Sequence, residues 1–245
     1  MKIIGSVKED LVGEKRISIT PETVKKFVDL NMSVLLENKY GEHLGINDEE
    51  YKNKGASLNN SAKEVLEKSE IILRVNCPSN DEISIIKNKS ILIGQFDPLS
   101  NKETINKLIK KEVKIFSLNL LPRITRAQSM DVLSSQANLA GYRAVIESVE
   151  EFGKAVPMMM TAAGTITPAK VLVIGAGVAG LQAIATAKRL GAIVSATDVR
   201  TVAKEQVESL GAKFLAVEGA ENLETSGGYA KEAGEDFKKK QAELL

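Results

Sequence analysis

With 245 residues, 27% of them charged and a formal net charge of +1, the chain has length for one large domain or two small ones and no excess charge of either sign. That balance, together with 4% aromatic residues and no tryptophan, argues against nucleic acid as a partner, through both the phosphate field and base stacking. One cysteine, Cys77, excludes an internal disulfide and fits a reducing compartment, and one histidine, His43, in a turn-like stretch argues against a zinc site or a Ser/His triad, so no metal is expected.

The chain opens on Met1-Lys-Ile-Ile-Gly-Ser-Val, a short strand pattern rather than the apolar region of a signal peptide. Short apolar runs then alternate with helical patterns. Ile3-Ile4, Val34-Leu-Leu36, Ile71-Ile-Leu-Arg-Val75, Ile91-Leu-Ile93 and Val113-Lys-Ile-Phe116 read as strands. Ser61-Ala-Lys-Glu64, Ser79-Asn-Asp-Glu82 and Ser100-Asn-Lys-Glu103 read as capping boxes, with Asn47-Asp-Glu-Glu50 a close relative. Thr20-Pro21-Glu22 supplies an N-cap, a proline at the first helical position and an acid in the first turn. Such alternation implies a parallel sheet covered by helices on both faces.

From Ala127 to Phe152 runs a helical pattern without proline, in which Val132, Leu133, Leu139, Val145, Ile146 and Val149 can line one side. It reads as a connector between two strand–helix regions. The expected organisation is a first α/β domain over 1–126, a connector helix and linker over 127–160, and a second domain over 161–245. Within the linker, Pro157-Met-Met-Met160 reads as core filling rather than a metal site, and Thr161 to Pro168 as a turn.

The second domain reads as strand 170–175, helix 178–190, strand 193–198, helix 202–210 and a third strand near Phe214-Leu-Ala-Val217. A loop over 218–230, with Ser226-Gly-Gly-Tyr229 at its flexible point, and a charged helix from about 231 complete it. Lys238-Lys-Lys240 is offset by Glu232, Glu235 and Asp236 and reads as a solvated helix face. The longest uncharged apolar stretch, Val171 to Ala187, is too short for a membrane span, so no direct membrane insertion is expected.

Inside this domain Val171-Leu-Val-Ile174 runs into Gly175-Ala176-Gly177-Val178-Ala179-Gly180, a G-x-G-x-x-G between strand and helix. Asp198 lies 18 residues after Gly180 and closes the next apolar run. This is a dinucleotide-binding fingerprint in its required context. Gly175 permits the tight turn, Gly177 lets a pyrophosphate approach the backbone, and Gly180 lets helix and sheet pack closely. The helix N-terminus offers N–H groups to phosphate. Asp198, followed by Val199 and Arg200, can accept hydrogen bonds from an adenosine ribose and would repel a 2′-phosphate, which favours NAD(H) over NADP(H). Arg200 weakens that preference. A doubly wound fold needs two such halves, and only the first is legible, so the glycine-loop strand is expected to keep an open edge.

Pro122 to Gln136 forms a second constellation, dense in Arg123, Arg126, Gln128, Ser129, Asp131, Ser134, Ser135 and Gln136. On the residues alone it reads as the cap of the long helix, with Ser129 or Asp131 capping, or as a polar binding loop. The stretch Pro122 to Val145, Pro157-Met-Met-Met-Thr-Ala-Ala-Gly-Thr165, Gly175 to Arg200 and Lys204-Glu-Gln-Val-Glu-Ser-Leu-Gly211 resemble the NAD(H)-binding component of the proton-translocating NAD(P) transhydrogenase family. So do Val7-Lys-Glu9 and Glu14-Lys-Arg-Ile-Ser-Ile-Thr-Pro-Glu22.

The resemblance implies two Rossmann-like doubly wound domains joined by a long helix, the second incomplete here. It implies catalytic roles for Arg123, Gln128 and Asp131 at the nicotinamide end of NAD(H), with Ser134, Asn138 and Tyr142 nearby. A mobile loop around Gly227, Gly228 and Tyr229 is expected to close over the nucleotide. It further implies hydride transfer from NADH to NADP⁺ on a partner component that binds NADP(H), a membrane-spanning component that couples transfer to proton movement, a homodimer, and a peripheral position on the cytoplasmic face of the membrane. Alanine dehydrogenase is similar in fold and N-terminal pattern, but its lysine and histidine positions fall here on Arg74 and on the Gln95-Phe96 region, although Arg16 is retained. Arginine is a poor proton shuttle. A non-catalytic NAD(H)-binding module is the third alternative.

Overall fold

The computed structural model describes residues 2–122, 124–217 and 234–244, and the chain divides into two compact units, Met1–Met130 and Asp131–Leu245. The first unit alternates β1(Ile3–Ser6), α1(Pro21–Asp29), β2(Ser33–Glu37), α2(Asp48–Asn53), β3(Ala56–Asn59), α3(Ala62–Lys68), β4(Ile71–Leu73), α4(Asn80–Ile85), β5(Ile91–Gly94), α5(Lys102–Lys110) and β6(Lys114–Ser117). All strand pairs are parallel, in the order β3-β2-β1-β4-β5-β6. The order reverses between β1 and β4, the switch point of a doubly wound sheet. Val34 and Leu36 of β2 and Ile71 and Leu73 of β4 join one apolar layer with Ile19 and Tyr51, whereas Leu35 and Ile72 join another with Val65 and Phe96. Successive strand residues point to opposite faces, so the sheet is buried on both, as the apolar runs predict.

The N-caps of the first unit follow the sequence signals except at Ser100, and the box expected at Ser61 closes on one side only. Thr20 accepts from the Thr23 N–H ahead of Pro21, and Asn47 and Ser79 form reciprocal boxes with Glu50 and Glu82. Ser61 caps α3, but Glu64 turns to Asn59 and Lys68. The capping box expected at Ser100 does not form. The α5 helix starts after Asn101, whose amide donates to the Phe96 carbonyl, and Lys107 holds Glu103. The strand β3 has no counterpart among the sequence signals. Its Ala-Ser-Leu-Asn sequence lacks a β-branched run, and its pairing from Val34↔Ala56 to Glu37↔Asn59 defines it.

The second unit contains α6(Val132–Phe152), the antiparallel pair β7(Met159–Thr161) and β8(Gly164–Ile166), then β9(Lys170–Ile174), α7(Val178–Arg189), β10(Ile193–Thr197), α8(Ala203–Ser209), β11(Lys213–Phe214) and α9(Glu235–Leu244). Its parallel sheet has the order β11-β10-β9, and β9 pairs only with β10 among the described residues. Leu172 and Ile174 stay exposed on this strand, and a groove of about 430 Å³ lies between it and α6. The segment 218–230 lies outside the described residues.

Two packing expectations need correction. The methionines at 158–160 do not fill a core: each exposes about half its surface or more, because both strands of the β7–β8 ribbon are exposed. The apolar side of α6 is also narrower than its sequence suggests. Leu133 and Leu139 are exposed, while Gly141 and Val145 are the buried positions. A Cβ built on Gly141 would stand 2.0 Å from the Ala179 carbonyl oxygen, so α6 and α7 meet backbone to backbone. Gly141→Ala is therefore expected to destabilise the protein by about 1–3 kcal/mol, since backbone rather than a flexible side chain must move. Urea unfolding of the wild type and variant measures this difference, and equal midpoints with equal slopes contradict it.

Candidate functional site

Main-chain geometry makes the glycine loop. Gly175 ends β9 at φ +93°, in the left-handed region that only glycine enters without strain, and its N–H donates to the Thr197 carbonyl at 2.8 Å. A Cβ on Gly180 would fall 1.8 Å from the Gly175 carbonyl oxygen, so the first turn of α7 lies directly on the loop. Gly177 behaves differently. The nearest atom to a Cβ there is Arg200 Nη2, at 3.9 Å, and the space above this backbone is open. Gly177 is also the N-cap of α7 and brings no side-chain acceptor, so the N–H groups of the first turn of this 12-residue helix remain for an anion.

Asp198, just beyond β10, is bonded into this loop. Its Oδ2 accepts from the Ala176 N–H at 2.7 Å, and its Oδ1 accepts from the Arg200 N–H at 2.8 Å. Arg200 adds Nε to Oδ1 and Nη2 to Oδ2, each at 2.8 Å. Burial alone would raise the Asp198 pKa. The hydrogen bonds from Arg200 and Ala176 outweigh it and hold the carboxyl below its usual range. Val178 is exposed beside the loop, and Val199 is half-buried.

The polar residues ahead of the loop separate into three cases. Asp131 caps α6: its Oδ1 accepts from the Ser134 N–H at 2.9 Å and its Oδ2 from the Ser134 hydroxyl at 2.7 Å. Of the two candidate caps, Asp131 is the one used. Gln128 stands exposed in a short 3-10 turn, Thr125–Met130. Arg123 and Tyr229, with Gly227 and Gly228, lie outside the described residues. Along α6, Asn138 Nδ2 donates to Gln182 Oε1 of α7 at 3.2 Å and Tyr142 is about half exposed, one residue after the Gly141–Ala179 contact. Gly141 and Gln182 are absent from the sequence-based set of site residues. A glycine inside a strong helix pattern is the available signal, because it costs helix stability unless packing requires it.

In the first unit, the switch-point ends of β1 and β4 are filled from within. Arg74, just past β4, is buried and donates Nε and Nη2 to the two oxygens of Glu9, each at 3.0 Å, and Nη1 to Glu82. Burial opposes its charge, but Glu9 and Glu82 more than compensate and raise its pKa. Glu9 also accepts from the Val75 N–H at 2.7 Å. Arg16 is paired in the same manner with Glu14, at 2.8 Å from Nε and 2.6 Å from Nη2, and Asn76 adds a further donor. The Arg16 hydrogen bonds pull the Glu14 pKa from 4.5 to about 2 against the opposing effect of burial. Phe96, beside Gln95 just past β5, is fully buried in the core.

A doubly wound sheet and a second parallel sheet with a glycine loop, an uncapped helix start and an acidic strand end define an α/β protein of the dinucleotide-binding class. Family models for the N-terminal and C-terminal domains of alanine dehydrogenase/PNT match residues 5–140 and 144–244. The chain belongs to the alanine dehydrogenase/PNT family. It is 51% identical over 249 residues to the Rhodospirillum rubrum protein named as the first part of NAD(P) transhydrogenase subunit alpha, across 99% of this chain and 65% of that protein. The solved transhydrogenase of Sinorhizobium meliloti superimposes with a TM-score of 0.84 at 50% identity, over 88% of this chain and 64% of that one. An alanine dehydrogenase from Methanococcus maripaludis is more distant, 29% identical over 204 residues, covering 81% of this chain and 54% of that protein. The chain thus spans just under two thirds of these two transhydrogenase chains.

Two outcomes follow for stability. Gly180→Ala is expected to cost about 1–3 kcal/mol through its collision with the loop carbonyl, while Gly177→Ala changes stability by less than about 1 kcal/mol; urea unfolding of both separates the two roles. The stability that ionised Glu14 contributes is complete above pH 4.5 and is lost as pH falls toward about 2. The difference in melting temperature between wild type and Glu14→Gln should therefore shrink across that interval. A difference independent of pH there contradicts the ion-pair account.

Proposed function

We propose that this chain is the NAD(H)-binding component of a proton-translocating NAD(P) transhydrogenase. The observation that carries the proposal is the glycine loop: Gly175 turned out of β9, Gly180 seated on its carbonyl, open backbone at Gly177, and Asp198 fixed to the Ala176 N–H. A dinucleotide pyrophosphate fits the open side of Gly177 and the start of α7, and the adenosine ribose falls to the Asp198–Arg200 corner. NAD(H), when bound, supplies the hydride. The residues Gln128, Asp131 and Arg123, with Ser134, Asn138 and Tyr142, hold the nicotinamide end, and Tyr229 binds the same nucleotide.

Hydride transfer between two nicotinamides requires alignment and exclusion of water rather than an acid/base pair. That requirement suits this chain. Oxidative deamination of an amino acid needs proton transfer, and Arg74 is a permanently charged group locked between Glu9 and Glu82. The reaction is NADH + NADP⁺ giving NAD⁺ + NADPH, with NADP(H) on a partner component and proton movement in a membrane-spanning one. Among the described residues no helix is long and apolar enough to cross a membrane. In this reading the chain acts as a peripheral homodimer on the cytoplasmic face, through its partners.

The test is exchange of hydride between the two nucleotide pools by the protein mixed with its NADP(H)-binding component. Absence of exchange sinks the proposal, and alanine-dependent NADH formation replaces it with the dehydrogenase activity. Gln128→Ala is expected to lower turnover at least about tenfold while changing NADH affinity by less than about threefold, because it acts on alignment rather than on binding. Asp131→Asn should follow the same pattern. Unchanged turnover in both reduces this stretch to a helix cap.

A further inference from the structure

Helices α6 and α7 meet through two matched pairs. Gly141 follows Asn138 by three residues on α6, and Ala179 precedes Gln182 by three on α7, so each pair shares a helix face. The Gly141–Ala179 contact brings the backbones together, and beside it Asn138 Nδ2 donates to Gln182 Oε1 at 3.2 Å. The polarity of that bond is fixed from behind. The Thr186 hydroxyl, buried within α7, donates its proton to the Gln182 carbonyl at 2.8 Å. Toward the Gln182 side chain it can then only accept, and it takes Nε2 at 3.1 Å. Gln182 Oε1 is thereby turned to α6, where only a donor satisfies it. Asn138 meets it with Nδ2, which turns the Oδ1 of this exposed residue away from α7.

We propose that Thr186 and Gln182 are positioning residues that set Asn138 as a hydrogen-bond acceptor for the carboxamide N–H of a bound nicotinamide. This rests on the NAD(H) site proposed above. A side-chain amide that is free to rotate meets a carboxamide either way round, since each carries both a donor and an acceptor. With the relay in place Asn138 offers Oδ1, so one orientation of the carboxamide is selected, and with it the rotation of the ring to which the carboxamide is conjugated. Ring alignment is what hydride transfer requires. Thr186 and Gln182 act on it only through Asn138. The relay also accounts for a threonine buried inside α7, a position where a hydroxyl otherwise costs helix stability.

The experiment is calorimetric titration of the whole chain with NADH and with its acetylpyridine analogue, in which a methyl group replaces the carboxamide NH2. Wild type should favour NADH about fivefold, the effect of one uncharged hydrogen bond. Gln182→Met should cut that preference to about twofold or less, and Thr186→Val should move it in the same direction. Gln182→Glu, which keeps an acceptor for Asn138 Nδ2, should retain it. If Gln182→Met does not fold, Thr186→Val, a replacement of nearly the same shape, carries the comparison. A wild type that binds both ligands equally overturns the carboxamide assignment, and a preference unchanged in Gln182→Met and Thr186→Val overturns the relay. Equal weakening of both ligands in every variant, Gln182→Glu included, reduces the three residues to helix packing and overturns the relay as well. A wild type that binds neither ligand overturns the dinucleotide site itself.

Discussion

The carbonyl of Gly175 and the α-carbon of Gly180 are in direct contact, and the second unit is arranged around that fact. A helix can begin this close to the end of a strand only if no side chain stands between them. Once it does, the first-turn N–H groups of α7 and the end of β10 face the same small volume. Asp198 then bridges strand end and loop through the Ala176 N–H. The glycines supply proximity, and the carboxylate fixes it.

The first unit solves a different problem at its own strand ends. A parallel doubly wound sheet leaves a crevice where its strand order reverses, and in many such folds that crevice holds a ligand. In this chain the β1 and β4 ends carry Glu9, Glu14, Arg16 and Arg74, and they satisfy one another. Arg74 and Glu9 are both buried, and removing either one costs far more than the pair contributes as a whole, because the remaining charge is stranded. The arrangement therefore favours a fixed geometry at the crevice, with Glu82 tying the start of α4 to it through both its capping bond and Arg74.

Much of this is legible in the sequence. Buried parallel strands read as unbroken Ile/Val/Leu runs, and the caps at Thr20, Asn47, Ser61 and Ser79 follow from local side-chain hydrogen bonds that need no tertiary context. What depends on distant partners is not legible. The β3 strand exists because β2 offers it a ladder, not because Ala-Ser-Leu-Asn prefers extension. The methionines of the β7 ribbon look like core residues until the ribbon is seen exposed on both strands. At the candidate site, G-x-G-x-x-G and Asp198 announce themselves by spacing. The fork-to-fork pairing of Asp198 with Arg200 does not, because a separation of two residues says nothing about where a flexible side chain turns.

The close approach of Gly141 to the Ala179 carbonyl has a mechanical consequence. A contact between side chains yields by rotamer changes, whereas one between main chains has no such compliance. Helix α6 is thereby keyed to the first turn of α7 at a stiff point, reinforced a turn away by Asn138 and Gln182. The placement of α6 on the start of α7 is thus set by main chain, and any side chain placed at Gly141 must push the two helices apart rather than turn aside.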